Sequence, residues 1–336
     1  MSGIKVSLGL LLVTGFFFAS CGEGNKEEVK ESNVSLNDQL EATPDSIPLI
    51  VERGRLMFEA YAYEKAMADA AHAFRLDSNR FDVRHLYADA LNNRAGRSIA
   101  DVSSAQYHYS KLLVEKPEEL SVLIGLASTY SYQQDFESSF KYINEALRID
   151  QRYRDAYILK GSNYGALGNR DLMKSSYETA VQQDPEFFEA YIRLGALYLE
   201  DNDKICIEYF TTAYQLEPEN LEALYSVAYA KQHYGQVDEA RALYRKMATD
   251  TVDFYVSQAL FQLGHIQQFV NQDLDSAIYF YKSATYTEPR YVEAYHNIGM
   301  CYDLKGDKTR ALQNFGKALK YNPEFALSRA YADSIR

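Results

Sequence analysis

The sequence has no tryptophan, only three cysteines and no segment dense in lysine or arginine. Its formal net charge is −12 at pH 7. Nucleic acids and anionic lipid surfaces bind proteins chiefly through basic patches, and an acidic chain without such a patch does not offer one. We therefore expect no nucleic-acid partner and no electrostatic attraction to a membrane surface.

Motifs that carry chemistry are also missing. The chain has no paired-histidine zinc motif, no Cys-x-x-Cys, no phosphate-binding loop and no Gly-x-Ser-x-Gly elbow. Asp201-Asn202-Asp203 begins like a calcium loop, but Ile205 and Cys206 stand where an oxygen ligand and the required glycine belong. No two of the six histidines are four residues apart, which argues against a zinc site on one helix. We expect no enzyme activity, no cofactor and no metal site.

The longest apolar run lies at the amino terminus, after Lys5, over residues 6–18. It is shorter than the roughly 20 residues that span a bilayer, and it has the length and flanks of a cleaved secretory signal over residues 1–20. The following Phe18-Ala19-Ser20-Cys21 resembles the lipobox of bacterial lipoproteins. That resemblance implies lipidation of Cys21 and anchoring to the outer membrane of a bacterial cell envelope, on its periplasmic face or at the cell surface. The alternative is an ordinary cleaved signal with an incidental cysteine.

Residues 21–46 are polar and acidic. Between residues 22 and 46 there are seven acidic side chains against two lysines, and apolar residues show almost no periodicity. Such a composition cannot bury enough apolar surface to offset the entropy of ordering the chain. The sequence predicts a disordered tether here.

Five prolines recur at one or two multiples of about 34 residues, the period of a helix–turn–helix repeat. They are Pro117, Pro185, Pro218, Pro289 and Pro323. Each lies where the second helix of a unit would end, because proline cannot continue the helical hydrogen bonds. The period predicts that most of the chain is one array of helix pairs.

The clearest unit runs over residues 292–325 and resembles the tetratricopeptide repeat at its diagnostic small, aromatic and proline positions: Tyr295, Gly299, Tyr302, Ala311, Phe315, Ala318 and Pro323. The resemblance implies an all-α solenoid, a right-handed superhelix of antiparallel helix pairs. It extends over residues 47–325 as about eight units, followed by a capping helix in residues 326–336. The units are 47–80, 81–119, 120–153, 154–187, 188–220, 221–255, 256–291 and 292–325.

This register assigns most tyrosines to the cores of the repeats, among them Tyr130, Tyr157, Tyr164, Tyr191, Tyr198, Tyr295 and Tyr302. Cys206 and Cys301 fall about three units apart, tens of ångströms in a stack of helices. A disulfide requires α-carbons within about 7 Å. Both cysteines are therefore predicted to be free and buried.

The family resemblance also implies a concave surface lined by fixed positions of each first helix. In the last three units these positions form what we call the aromatic strip: Tyr225, Tyr229, Gln232, Phe261, His265, Gln268, His296 and Met300. Aromatic rings and amides suit a groove that holds a peptide. The alternative is that these side chains pack against one another inside the superhelix.

The sequence thus predicts a membrane-anchored scaffold that binds a protein or peptide through its concave groove, in the assembly of an envelope complex. Two alternatives remain open. One is a soluble secreted or periplasmic module that binds a peptide or small ligand, and the other is a non-catalytic subunit of an enzyme complex.

Overall fold

The computed structural model describes residues 36–60, 62–248 and 253–335, and this part of the chain is helical with no β-strand. A short helix, α1, covers residues 36–42. The first helices of the eight units are α2 (Ile47–Glu59), α4 (Phe81–Asn93), α6 (Leu120–Tyr132), α8 (Arg154–Ala166), α10 (Phe188–Glu200), α12 (Leu221–His233), α14 (Phe254–Phe269) and α16 (Val292–Leu304). The second helices are α3 (Tyr63–Leu76), α5 (Ile99–Glu115), α7 (Phe136–Ile149), α9 (Arg170–Gln183), α11 (Cys206–Leu216), α13 (Val237–Met247), α15 (Leu274–Thr287) and α17 (Lys308–Tyr321), and α18 (Ala326–Ile335) follows. The predicted all-α solenoid is confirmed.

The helices pack in chain order. Each first helix contacts the second helix of its own unit, which in turn contacts the first helix of the next unit. First helices also touch one another at α2–α4, α4–α6, α6–α8 and α12–α14, whereas no comparable contact joins successive second helices in the described ranges. The stack therefore bends toward its first helices, which line the inner, concave side.

The units pack tightly because a glycine of the first helix faces an aromatic ring of the second. A β-carbon added at Gly299 would lie 2.6 Å from Cε1 of Phe315, and one at Gly264 would lie 2.7 Å from Cδ1 of Tyr281. Phe315 and Tyr281 have no exposed surface. Each glycine thus leaves the space that the ring fills, and the two helices approach closely.

A tight turn joins the two helices within a unit. Gly168, Gly235 and Gly306 have a positive φ in these turns, and glycine adopts this conformation without steric strain because it has no β-carbon. Asn202 takes the same conformation, with φ of 54°, in the unit over 188–220. The next residue often caps the second helix: Asp307 accepts a hydrogen bond from the backbone N–H of Arg310 at 2.9 Å.

The amino-terminal end of the array differs from the predicted tether. Residues 1–20 and Cys21 lie outside the described residues, as does most of the tether. In its described part, Leu36 and Leu40 are buried, and Leu40 packs against Ile50. The Asn37 side chain accepts a hydrogen bond from Arg53 at 2.7 Å. Residues 36–42 therefore cover the first unit, because two leucines four residues apart give α1 an apolar face within an acidic sequence.

The other end is covered by α18, which packs on α17 and buries Ser328 and Ala332. Cys206 and Cys301 are free and buried, as predicted. Among the helices that the structure describes, none is long and apolar enough to cross a membrane.

Candidate functional site

The inner side of α12 and α14 carries most of the aromatic strip. On α12, Tyr225, Tyr229 and Gln232 are spaced by four and three residues and so share one face of the helix. On α14, Phe261 and His265 are one turn apart. Because α12 and α14 contact each other, the two rows of side chains form one surface. We call these five residues the α12–α14 surface.

Tyrosine rings form the centre of this surface. Tyr225 and Tyr229 are stacked with ring centroids 6.0 Å apart, and Tyr225 lies 5.9 Å from Tyr255 and 5.8 Å from the buried Tyr244. Burial raises the pKa of both Tyr225 and Tyr229. Tyr225, Tyr229 and Tyr255 are all half-buried, so part of the cluster remains open to solvent.

Phe261 and His265 continue the surface along α14. The Phe261 ring is stacked 5.0 Å from Tyr291, and it remains half-exposed. His265 lies 4.5 Å from Phe269, whose side chain is 51% exposed at the end of the helix. Burial lowers the pKa of His265, which favours the neutral imidazole. This part of the surface is therefore apolar and aromatic, with little charge.

Amide side chains form hydrogen bonds from α12 to α14 and from α14 to α15, but some of their polar atoms remain unpaired. Gln232 Nε2 donates to Gln262 Oε1 at 3.1 Å, and Gln268 Oε1 accepts from the Tyr281 hydroxyl at 2.8 Å. Gln232 Oε1, Gln268 Nε2 and the Tyr244 hydroxyl are buried without a hydrogen-bond partner among the described residues. Native proteins rarely leave buried polar atoms unpaired. Gln232 Oε1 and the Tyr244 hydroxyl lie beside the α12–α14 surface, where the described residues leave these polar atoms unpaired.

The rest of the strip packs between helices, with His296 and Gln268 buried and Met300 half-buried. His296 is buried, and its Nδ1 lies 2.9 Å from the hydroxyl of Ser328 on α18. Its ring also contacts Phe315 and Tyr331, and burial lowers its pKa to about 4. Gln268 is buried as well, and Met300 packs against the core formed by α15, α16 and α17. For these three residues the structure shows packing between helices.

One acidic residue at this surface was missed by the sequence reasoning. Glu222 begins the row that continues with Tyr225, Tyr229 and Gln232, and the spacing of these four residues was a signal that could have identified it. Burial raises its pKa to about 7, and Glu189 adds to the rise, whereas the Tyr255 hydroxyl opposes it. A carboxyl group in an acidic chain is usually exposed, whereas this one is half-buried.

The described residues of this surface do not form a metal site. Within residues 36–60, 62–248 and 253–335, no three His, Cys, Asp or Glu side chains are grouped so that they could hold a metal ion. The chemistry available is that of contact: aromatic area, amide hydrogen bonds and one carboxyl group.

Three segments of the chain match the family models for the tetratricopeptide repeat: residues 120–153, 155–187 and 292–325. The chain contains tetratricopeptide repeats. The first and last of these matches coincide with units read from the sequence, and the second differs from its unit by one residue. The helix pairs of the other five units follow the same order and continue the tetratricopeptide array.

Curated relatives share the repeats over part of their length. The chain is 29% identical over 264 residues to a BBSome complex member BBS4 homolog of Drosophila melanogaster, covering 75% of this chain and 50% of that protein. It is 26% identical over 212 residues to human tetratricopeptide repeat protein 6, covering 60% of this chain and 39% of that one. The chain thus spans half or less of these two relatives.

Solved structures show the same fold. The hetero-tetramer of APC/C subunits Cut9 and Hcn1 matches with a TM-score of 0.57 at 15% identity, over 93% of this chain and 60% of that one. Human IFIT1, solved as a dimer with PPP-AAAA, matches with a TM-score of 0.55 at 17% identity, over 82% of this chain and 72% of that one. Tetratricopeptide arrays serve as scaffolds for protein–protein interaction, and this is the function that the family assignment supports.

Proposed function

We propose that the chain is a non-catalytic scaffold that binds a protein or peptide partner through the α12–α14 surface. The observation that carries this proposal is the coincidence of half-exposed aromatic rings and unpaired buried polar atoms at one place on the concave side. Large rings supply contact area at little cost in conformational entropy, which is why they are enriched at binding surfaces.

The bound segment is an extended or helical peptide. Its apolar side chains pack on Tyr229 and Phe261, and Phe269 extends that area beyond the end of α14. A rotation of the half-exposed Gln232 amide turns its unpaired Oε1 toward a peptide N–H. Each such buried group left unpaired costs roughly 1–3 kcal/mol, so a ligand that pairs it recovers part of that energy.

Photo-crosslinking tests this assignment. A photoreactive residue at position 229 is expected to capture a partner in intact cells, and one at position 286 is the control. Tyr286 lies on α15, a second helix, away from the concave side. Its side chain is 86% exposed, so it is more accessible than Tyr229. Equal capture from both positions would contradict the assignment to the α12–α14 surface.

Alanine variants measure how much each aromatic side chain contributes to binding. Tyr229→Ala and Phe261→Ala are expected to weaken binding of the captured partner by about tenfold or more each, as hot-spot aromatics do. Tyr279→Ala and Tyr107→Ala remove rings that are 66% and 59% exposed on the second helices α15 and α5, and they serve as matched controls. If the controls weaken binding as much as the inner variants, the surface is not the binding site.

We also propose that a lipid on Cys21 tethers the array to a bacterial outer membrane, where it contributes to the assembly of envelope complexes. What supports this is the sequence Phe18-Ala19-Ser20-Cys21 after an apolar run. Several acyl chains anchor a protein stably, whereas one does not. Membrane fractionation tests it: Cys21→Ser should move the protein to the soluble fraction, and continued full membrane association would disprove lipid anchoring.

The alternatives from the sequence lead to different outcomes. A soluble secreted or periplasmic binding module would lack lipid on Cys21, and mass spectrometry of the mature amino terminus would show an unmodified residue. A non-catalytic subunit of an enzyme complex would consistently co-purify with a chain that carries a catalytic site.

A further inference from the structure

Glu222 is a half-buried carboxyl group that has no ion-pair partner among the residues the structure describes. Arg193 is the cation that acts on it most directly, but this guanidinium is bound to Glu189, with Nε and Oε1 3.0 Å apart. Glu189 and Glu217 add negative potential at the Glu222 site. Among the described residues, the carboxyl groups of Glu222, Glu189 and Glu217 therefore outnumber the one guanidinium that acts on Glu222.

Tyr225 and Tyr255 lie closest to this carboxyl group, and Tyr229 continues the row of rings along α12. Tyr225 is one turn along α12 on the same face, and it contacts Tyr229 at 6.0 Å and Tyr255 at 5.9 Å between centroids. The Tyr255 hydroxyl, on α14, acts electrostatically on Glu222. Two helices, α12 and α14, thus place one carboxyl group and three tyrosine rings around the same space.

A separate observation points to the same place. Tyr244, on α13, has no exposed surface, and its hydroxyl lacks a hydrogen-bond partner within the described ranges. Its ring lies 5.8 Å from Tyr225, and the hydroxyls of Tyr225 and Tyr229 both act on its pKa. An unpaired hydroxyl can accept a hydrogen bond from an ammonium or guanidinium group.

We propose that this pocket, made of Glu222, Tyr225, Tyr229 and Tyr255, selects a Lys or Arg side chain of the bound peptide. Tyrosine faces attract cations through the ring quadrupole, and the attraction strengthens when the cation loses its water. Glu222 supplies the counter-charge that a partly desolvated cation requires. The apolar part of the peptide then lies along Phe261 and His265. This specificity rests on the proposed function, since it names the side chain that the same surface prefers.

The discriminating experiment uses pools of capped decapeptides, randomised except at one central position. That position is fixed as Lys, Arg, norleucine or Glu in four separate pools. Binding to the purified full chain is measured by fluorescence anisotropy. The Lys and Arg pools are expected to bind about tenfold more tightly than the norleucine pool, and the Glu pool most weakly.

Variants assign the preference to the pocket. Glu222→Gln keeps the shape of the side chain and is expected to remove most of the Lys and Arg preference while leaving norleucine binding unchanged. Glu208→Gln, on the outer helix α11, removes the same charge at an exposed position and is expected to leave the preference intact. Circular dichroism of both variants verifies that the array remains folded.

The outcomes separate the two proposals. If the pools bind but Lys, Arg and norleucine bind equally, the cation pocket is refuted and peptide binding stands. If the Glu pool binds best, the charge assignment is also wrong. If no pool binds, the proposed peptide-binding function fails, and the pocket fails with it. A preference for Lys and Arg that survives Glu222→Gln unchanged would refute the role of Glu222.

Discussion

The contact between Gly299 and Phe315 leads to a stability prediction that can be worked out from the structure. A β-carbon at Gly299 would lie 2.6 Å from Cε1 and 2.7 Å from Cδ1 of Phe315. Unstrained carbon atoms do not approach so closely. The ring is fully buried and contacts His296 and Tyr331, with centroids 5.5 and 5.8 Å away. It cannot move aside without displacing other side chains, so Gly299→Ala must strain the pair α16–α17.

The chain provides a matched control on the partner helix. Gly316 is exposed in α17, and a β-carbon there would meet no atom within 4 Å. Gly316→Ala should therefore stabilise the protein by about 1 kcal/mol, the difference in helix propensity between the two residues. Gly299→Ala has the same gain in helix propensity, but the added β-carbon also overpacks the contact with Phe315, at a cost of about 1–3 kcal/mol. The difference between the two variants isolates the packing strain.

Two measurements together test this prediction. Urea unfolding followed by circular dichroism reports the change in free energy, although a repeat array need not unfold in one step. Amide hydrogen exchange in α16, α17 and α18 locates the effect, and exchange there should be faster in Gly299→Ala and slower in Gly316→Ala. If Gly299→Ala proves as stable as Gly316→Ala, the Phe315 ring does not need the space that Gly299 leaves. Our account of the packing within a unit would then be wrong.

Four further predictions follow from charge and burial. His296 has a folded-state pKa of about 4, below the ordinary value of 6.5, so the unfolded chain binds more protons between these values. Stability should then fall by up to about 3 kcal/mol on acidification from pH 6.5 to 4, and exchange in α18 should rise first. For Glu222, whose pKa rises from 4.5 to about 7, the ionised carboxyl group destabilises the fold above pH 7. Glu222→Gln should therefore be more stable than the parent at pH 8, by up to about 3 kcal/mol, and equal to it below pH 4.5, as thermal melts would show. Burial raises the pKa of Cys301 to about 12, so an aromatic disulfide reagent should label it only after unfolding. Asp307→Ala should cost about 1 kcal/mol in urea unfolding because it removes the cap of α17, whereas Lys308→Ala should change stability little.

Much of the fold could be predicted because each unit carries its own local signals. The spacing of Tyr295, Gly299 and Phe315, and the proline that ends the second helix, depend only on contacts within one helix pair. The same holds for the free cysteines, since a linear stack keeps distant units apart. Short-range regularities of this kind are visible in the sequence itself.

The degree of burial was harder to predict. The first-helix tyrosines Tyr157, Tyr191 and Tyr295, predicted as core residues, are only half-buried. The fully buried rings are those of second helices, such as Tyr177 and Tyr281, which enter the space left by a glycine. In the sequence, the tyrosines of first helices and the rings of second helices look alike. Only the side from which the partner helix packs against them distinguishes the two.

The candidate site could be predicted only in part, because neighbouring helices cover some of the residues that the sequence assigned to it. His296 has the right position on its helix to face the groove, but α18 packs over it, and a pattern within one unit does not show this. Conversely, Glu222 gains its significance from Tyr255 and Glu189, which come from other units. The aromatic character of the surface could be read from one helix at a time, whereas its charge required the assembled stack.

The chain-order packing of the helices also has a mechanical consequence. Because each pair contacts only its immediate neighbours, tension between the two ends is carried by every joint in turn, with no shared centre to resist it. The array should extend like a spring at small forces, through slight changes in the angle between pairs, and at larger forces should release one pair after another. Its length under load would then change in increments set by the single unit.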